Sequence, residues 1–257
     1  MNSNTNNLPI GIFDSGVGGL SVLNHALKIL PNENYIYIGD FANAPYGNKK
    51  QNEILDISLQ NADMLISMNI KALLIACNTA TSAAAHVLRD YLDIPVVGLE
   101  PAIKPASQFA QKDKSVVVLA TPQTLRLDKF NNLLKQFDSD VVSIACPGLS
   151  RLIETAGPKS TAINEYLSEI LSCVNKDNTS SIVLGCTHFS FVAEEIKNMT
   201  EGIQLFDGRF GTARQLKRIL KDNLSDSEGS IKLISTLEDE YHNELLNRFI
   251  NYQLLEE

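Results

Sequence analysis

The chain has 257 residues, enough for one large domain or two of ordinary size around a substantial buried core. Hydrophobic residues make up 44% and charged residues 20%, the balance of a soluble globular protein. A net charge of -8 argues against a nucleic-acid backbone as the main partner and leaves any anionic ligand to local donors.

The stretch MNSNTNNLPIGIF is a short polar lead-in to a strand, with no basic segment followed by a long apolar run. No run approaches the roughly 20 apolar residues of a membrane helix, so neither a leader nor a membrane association is expected. Residues 9–13 and 35–38 read as strands flanking a helix over 19–30. Helical spacing over 51–68 precedes a strand at 72–76, a helix at 80–92 and a short strand at 95–98. The segment 98–102 (GLEPA) lies midway between two cysteine motifs and is a natural crossing between domains. A second series follows: helix 101–111, strand 115–120, helix 123–137, strand 141–145, helix 160–174, strand 181–185, helix 189–199 and strand 203–206. Helical regions at 211–222 and 236–250 close the chain, separated by 223–231, read as a polar surface loop. Strands alternating with helices of this length predict right-handed crossovers and mainly parallel sheets, an α/β fold.

Two cysteines occupy matching places. Cys77 in LLIACNTATS and Cys186 in SIVLGCTHFS each end an apolar run and open a polar turn into a helical pattern. Both fall at the carboxyl ends of strands, where open α/β sheets build ligand sites. Facing thiols could remove a proton from one side of a carbon and return one from the other, with no cofactor. A helix N-terminus after each cysteine favours thiolate, and its free amides can hold a substrate carboxylate. An isolated strand-end cysteine is usually a small buried hydrophobe, and Cys146 and Cys173 are read that way. The four cysteines form no CxxC pair and no zinc spacing, so free thiols, no metal and a cytoplasmic location are expected.

Other segments admit two readings. IFDSGVGGLSVL resembles a phosphate-binding turn, yet Gly16, Gly18 and Gly19 match neither G-x-G-x-x-G nor the Walker pattern. Asp14 there is either a turn or capping residue or a catalytic one. In GDFANAPYG, Tyr46 and Gly47 offer a hydroxyl and an amide to a ligand, or simply make a turn. His188 stands beside Cys186 and could move a proton or stabilise thiolate, whereas His25, His86 and His242 lie in helical patterns and read as surface or packing residues. Glu154, in RLIETAG, sits near a helix end with Gly157 as the stop; most such glutamates are solvated.

The segments FDSGVGGLSVL, YIGDFANAPYG, IACNTATS, EPAIKPA, LATPQTL and LGCTH, in this order, resemble the glutamate racemases of the aspartate/glutamate racemase superfamily. The resemblance implies two α/β domains related by approximate two-fold symmetry, with the active site in the cleft between them. On this chain they would be residues 1–98 with 210–257, carrying Cys77, and 99–209, carrying Cys186. It further implies a cofactor-independent two-base interconversion of L- and D-glutamate that supplies peptidoglycan, and a homodimer. Cys77 and Cys186 match the two bases, with Cys77 acting on D-glutamate and Cys186 on L-glutamate. Asp14 and His188 match their assistants, and Glu154 falls near a further acidic one. Ser15, Tyr46, Gly47, Asn78, Thr79, Thr121 and Thr187, with Asp14 and His188, match positions that contact substrate. The chain departs from the family at Phe41 and Asn43, where Thr and Arg are usual, in THFSF, in ACPGLSRLIETAG, and at Gly208, where Ser is frequent. These changes spare the cysteines but leave open a racemase of aspartate or another amino acid, or a non-catalytic amino-acid-binding relative.

Overall fold

The computed structural model describes residues 5–137 and 140–256; residues 1–4 of the polar lead-in lie outside them. The first series comprises β1 (Ile10–Asp14), α1 (Leu20–Ile29), β2 (Tyr35–Gly39), α2 (Gln51–Ser67), β3 (Ala72–Ile75), α3 (Asn78–Tyr91) and β4 (Val96–Gly98). The second comprises α4 (Ile103–Phe109), β5 (Ser115–Ala120), α5 (Pro122–Arg126), α6 (Asp128–Leu134), β6 (Val141–Ala145), α7 (Leu149–Ala156), α8 (Thr161–Ile170), β7 (Thr179–Leu184), α9 (Ala193–Met199) and β8 (Gln204–Asp207). α10 (Gly208–Ile219), β9 (Ile231–Ser235) and α11 (Glu240–Ile250) complete the chain.

The strands build two parallel sheets, in the orders β4-β3-β1-β2-β9 and β6-β5-β7-β8. The chain passes from the first sheet to the second between β4 and β5 and returns between β8 and β9. These two crossings touch: a Cβ at Gly208 would stand 2.2 Å from the Glu100 carbonyl oxygen. A serine at 208 could not be accommodated without moving that backbone.

Alternation along the strands sends their side chains to two faces. Ile10 and Ile12 of β1 join one apolar cluster and Phe13 another. The first cluster is continuous between the sheets, uniting Ile12, Tyr37 and Leu74 with Val117, Leu119 and Leu184. Helices α1, α8, α10 and α11 contribute Leu23, Ile163, Leu216 and Phe249 to it. Each such side chain is worth roughly 1.5–3 kcal/mol on burial, so this shared core fastens the halves together. The outer faces pack separately, the first sheet against α2 and α3 and the second against α4 and α6.

Three expectations about elements change. The helix foreseen over 123–137 is broken at Leu127, whose ψ of 138° ends α5 and starts α6. Leu125 and Leu127, two positions apart, cannot share one helical face, and the break turns Leu127 into the interior. The segment after Cys186 is a six-residue 3-10 helix, Thr187–Val192, before α9 begins. Its consecutive residues are all buried, which one face of a surface helix could not achieve. β9 is not anticipated, since the expected loop ends at 231 and 232–235 carries no assigned element: IKLIS is short, carries Lys232, and as an edge strand leaves Ile231 exposed, so its apolar signal is weak.

Candidate active site

The site is assembled from the carboxyl ends of strands in both sheets. Asp14 ends β1 and is fully buried. Its Oδ1 accepts from the Gly16 N–H at 2.8 Å, and its Oδ2 accepts from the Thr187 hydroxyl at 3.2 Å. The second bond crosses from one half of the molecule to the other.

Cys77 follows β3 and caps α3, its Sγ accepting from the Ala80 N–H at 3.5 Å. Cys186 follows β7 with a closely similar backbone, φ −143° and ψ 137° against −136° and 122° for Cys77. It caps no α-helix, because the 3-10 segment starts there, and its Sγ lies 3.9 Å from His188 Nδ1 instead. His188 Nε2 is 2.8 Å from Glu154 Oε1, and that oxygen also accepts from the Val17 N–H at 3.1 Å. Gly157, with φ of 87°, stops α7 just beyond Glu154, as its sequence position suggests. The glutamate is therefore engaged with both halves.

The environments of the two thiols differ. Burial pushes the Cys77 thiol well above its ordinary range, the Asp14 charge adds to this, and the Ala80 N–H opposes it. Burial also raises Asp14, offset by the positive charge of His188 and the Gly16 N–H. For His188 burial alone would favour the neutral ring; hydrogen bonds to Cys186 and Glu154 reverse this and hold it well above the usual histidine range. These surroundings favour the thiol form of Cys77 and the imidazolium form of His188. The two cysteines are 5% and 8% exposed, so little bulk water reaches them.

The glycine-rich turn is explained by what lies against it. A Cβ at Gly16 would stand 2.3 Å from Glu154 Oε1. One at Gly18 would stand 2.2 Å from Thr187 Oγ1 and 2.4 Å from His188 Nδ1. Bare backbone is required here so that the second half can bring its histidine and glutamate onto the first.

Around this centre lie the remaining positions named from the sequence. Asn78, in the first turn of α3, is 4% exposed, and neither polar atom of its amide has a hydrogen-bond partner. Such a group is costly unless a ligand pairs it. Thr79 and Thr121, from opposite halves, approach at 3.3 Å between hydroxyls, and both meet Thr124, which the sequence reading missed. Its one sequence signal was a hydroxyl three residues after a threonine N-cap. Gly47 packs on Thr121, where a Cβ would come within 3.2 Å. Ser15 is half-buried at the start of the glycine turn.

Tyr46 differs from expectation. Its hydroxyl donates to Asp40 Oδ2 at 2.5 Å and accepts from the Asn61 amide at 3.1 Å, so it is engaged within the protein. Asp40 also accepts from Asn43, Asn61 and Thr236, an organising role that the sequence did not reveal. The two departures in this loop are absorbed here: Asn43 bonds Asp40, and the Phe41 ring packs 4.5 Å from that of His242. Among the described residues no cluster of three or more His, Cys, Asp or Glu is placed to hold a metal ion. No described helix is long and apolar enough to cross a membrane.

Comparison with proteins of known structure places this fold among the glutamate racemases. The Escherichia coli glutamate racemase, solved with L-glutamate and the activator UDP-MurNAc-Ala, superimposes with a TM-score of 0.86 at 28% identity over 96% of each chain. The Thermus thermophilus glutamate racemase in complex with β-chloro-D-alanine gives a TM-score of 0.82 at 31% identity, over 95% of this chain and 93% of that one. In sequence, the glutamate racemase of Clostridium novyi (strain NT) is 48% identical over 240 residues, 90% of this chain and 92% of that protein. The Asp/Glu/hydantoin racemase family model matches residues 22–215. The chain belongs to that family and, within it, to the glutamate racemases, amino-acid isomerases that invert a stereocentre.

Proposed function

We propose that this protein interconverts L- and D-glutamate by two-base proton transfer between Cys77 and Cys186, without a cofactor. The observation that carries the reading is the convergence of Asp14, Thr187, His188 and Glu154, from opposite halves, on two thiols at equivalent strand ends. With L-glutamate bound, Cys186 as thiolate removes the α-proton and the protonated Cys77 delivers one to the opposite face. The reverse reaction exchanges these roles. His188 receives the proton that Cys186 gives up and is itself held by Glu154; Asp14 serves Cys77 in the same way.

The unpaired Asn78 amide and the N-terminal amides of α3 are suited to a substrate carboxylate, which also offsets charge developing at the α-carbon. Ser15, the backbone of Tyr46 and Gly47, Thr79, Thr121 and Thr187 complete the substrate contacts. The reading includes a division into residues 1–98 with 210–257 and 99–209, a homodimer, and a cytoplasmic role supplying D-glutamate to peptidoglycan. The glutamate racemase names of the relatives support glutamate over other amino acids.

The test is exchange of the glutamate α-hydrogen with deuterium from solvent, with no pyridoxal phosphate added, alongside chiral chromatography of a panel of L-amino acids. Racemisation by Cys77→Ser and Cys186→Ser should fall on the order of 10²–10⁴-fold, the range of general acid–base catalysis. Undiminished racemisation in both variants would rule out the two-thiol mechanism. Negligible glutamate turnover beside brisk aspartate turnover would reassign the substrate.

A further inference from the structure

The three hydroxyls of Thr79, Thr121 and Thr124 form a closed triangle across the two halves of the molecule. Thr79 belongs to the first turn of α3, Thr121 caps α5, and Thr124 lies three residues further on. The edges measure 3.3 Å between Thr79 and Thr121, 3.0 Å between Thr79 and Thr124, and 2.9 Å between Thr121 and Thr124. The Thr124 N–H also donates to Thr121 Oγ1 at 3.2 Å. Thr124 is fully buried, and Gly47 backs onto Thr121 from the side.

Three hydroxyls carry three protons, so a triangle can satisfy every donor within itself. A substrate oxygen that takes a proton from Thr79 or Thr121 must open one edge. The longest edge joins the two threonines assigned to substrate, and both edges made by Thr124 are shorter. Opening the long edge leaves Thr79 and Thr121 each tethered to Thr124.

We propose that Thr124 is a positioning residue whose hydroxyl holds Thr79 and Thr121 in place while the edge between them yields to the substrate, and which latches the two halves at that point. This rests on the assignment of Thr79 and Thr121 to substrate binding. It accounts for a hydroxyl at a wholly buried position where an apolar side chain would otherwise pack.

Thr124→Val keeps the side-chain shape and removes the hydroxyl; Thr124→Ser keeps the hydroxyl. In Thr124→Val the KM for both enantiomers should rise about fivefold to tenfold, the effect of one hydrogen bond, with kcat within about twofold. Thr124→Ser should return KM to within about twofold of the wild type. Enantiomers have equal free energy in water, so kcat/KM must fall by the same factor in both directions, which checks the measurement. Labelling of Cys77 by iodoacetamide, followed by mass spectrometry of its peptide, should also be several-fold faster in Thr124→Val, reporting the parting of the halves without any turnover. Thr124→Ala serves if the valine variant does not fold. Unchanged KM and labelling in Thr124→Val would overturn the proposal, as would equal losses in the valine and serine variants. If the wild type turns over no glutamate, the substrate reading fails by itself, and labelling no faster in Thr124→Val then removes the latch as well.

Discussion

Asp14 works against the fold that holds it. Burial raises its carboxyl above the ordinary value, because the interior accommodates the ionised form less well than water does. A folded-state value above the unfolded one means a stability deficit that is absent well below the unfolded pKa and grows as pH rises past it. Asp14→Asn removes the charge and keeps an oxygen for the Gly16 N–H. It should raise Tm at pH 7 by about 2–4 °C, the effect of roughly 1 kcal/mol in a chain of this size, while racemisation falls. Thermal melts beside turnover assays would check this; a lower Tm would mean that the carboxylate is well paid by its neighbours. Asp14 was legible as one of two things, a turn residue or a catalytic one, because a strand-end aspartate suits both. What the sequence could not convey was Thr187 reaching it from a distant segment. The same holds for Tyr46, whose hydroxyl looked available because its partners, Asp40 and Asn61, occupy different elements.

At the scale of elements, the turn between β1 and α1 and the helix α10 use glycine for opposite reasons. Gly18 faces Thr187 and His188 at distances that no Cβ tolerates, whereas a Cβ at Gly211 within α10 would meet nothing within 4 Å. Gly18→Ala should therefore displace the Cys186–His188 pair, lowering stability by about 1–3 kcal/mol and turnover by more than tenfold. Gly211→Ala should stabilise the protein by about 0.5–1 kcal/mol with activity unchanged. Urea unfolding of the two variants tests both signs at once. Most strands and long helices were readable, because buried parallel strands such as VVVLA are continuous apolar runs bounded by turns. The elements misread are those where tertiary contacts override local pattern. Leu127 breaks a helix to reach the interior, the segment after Cys186 tightens into a 3-10 helix because every residue of it is buried, and β9 borrows its order from β2. Glycine spacing suggested a phosphate loop only because close approach by another part of the chain has no sequence signature.

For the molecule as a whole, Glu154 is the tie that couples electrostatics to closure, since it receives Val17 of one half and His188 of the other. His188 is raised above its ordinary value of about 6.5, so its contribution to stability is fully present below that pH and is lost as pH rises through the raised value. Glu154→Gln should lower Tm most near pH 6, and the gap from wild type should narrow as pH climbs past neutrality. Its racemisation should lose its alkaline limb at a lower pH. Melts and kcat/KM profiles between pH 5.5 and 9 measure both; a gap independent of pH would sever the link to His188. The unequal surroundings of the two thiols have one more consequence. Under the proposed two-thiol reaction, a turnover in which one cysteine takes a proton and the other gives one ends with the proton count reversed, so the enzyme that releases D-glutamate is not the enzyme that bound L-glutamate. It keeps a memory of the last hand it handled until a proton is redistributed through the Asp14 and His188 side. At high substrate concentration that resetting, rather than the chemistry on carbon, would govern the pace, since thiols so little exposed trade protons with bulk water slowly.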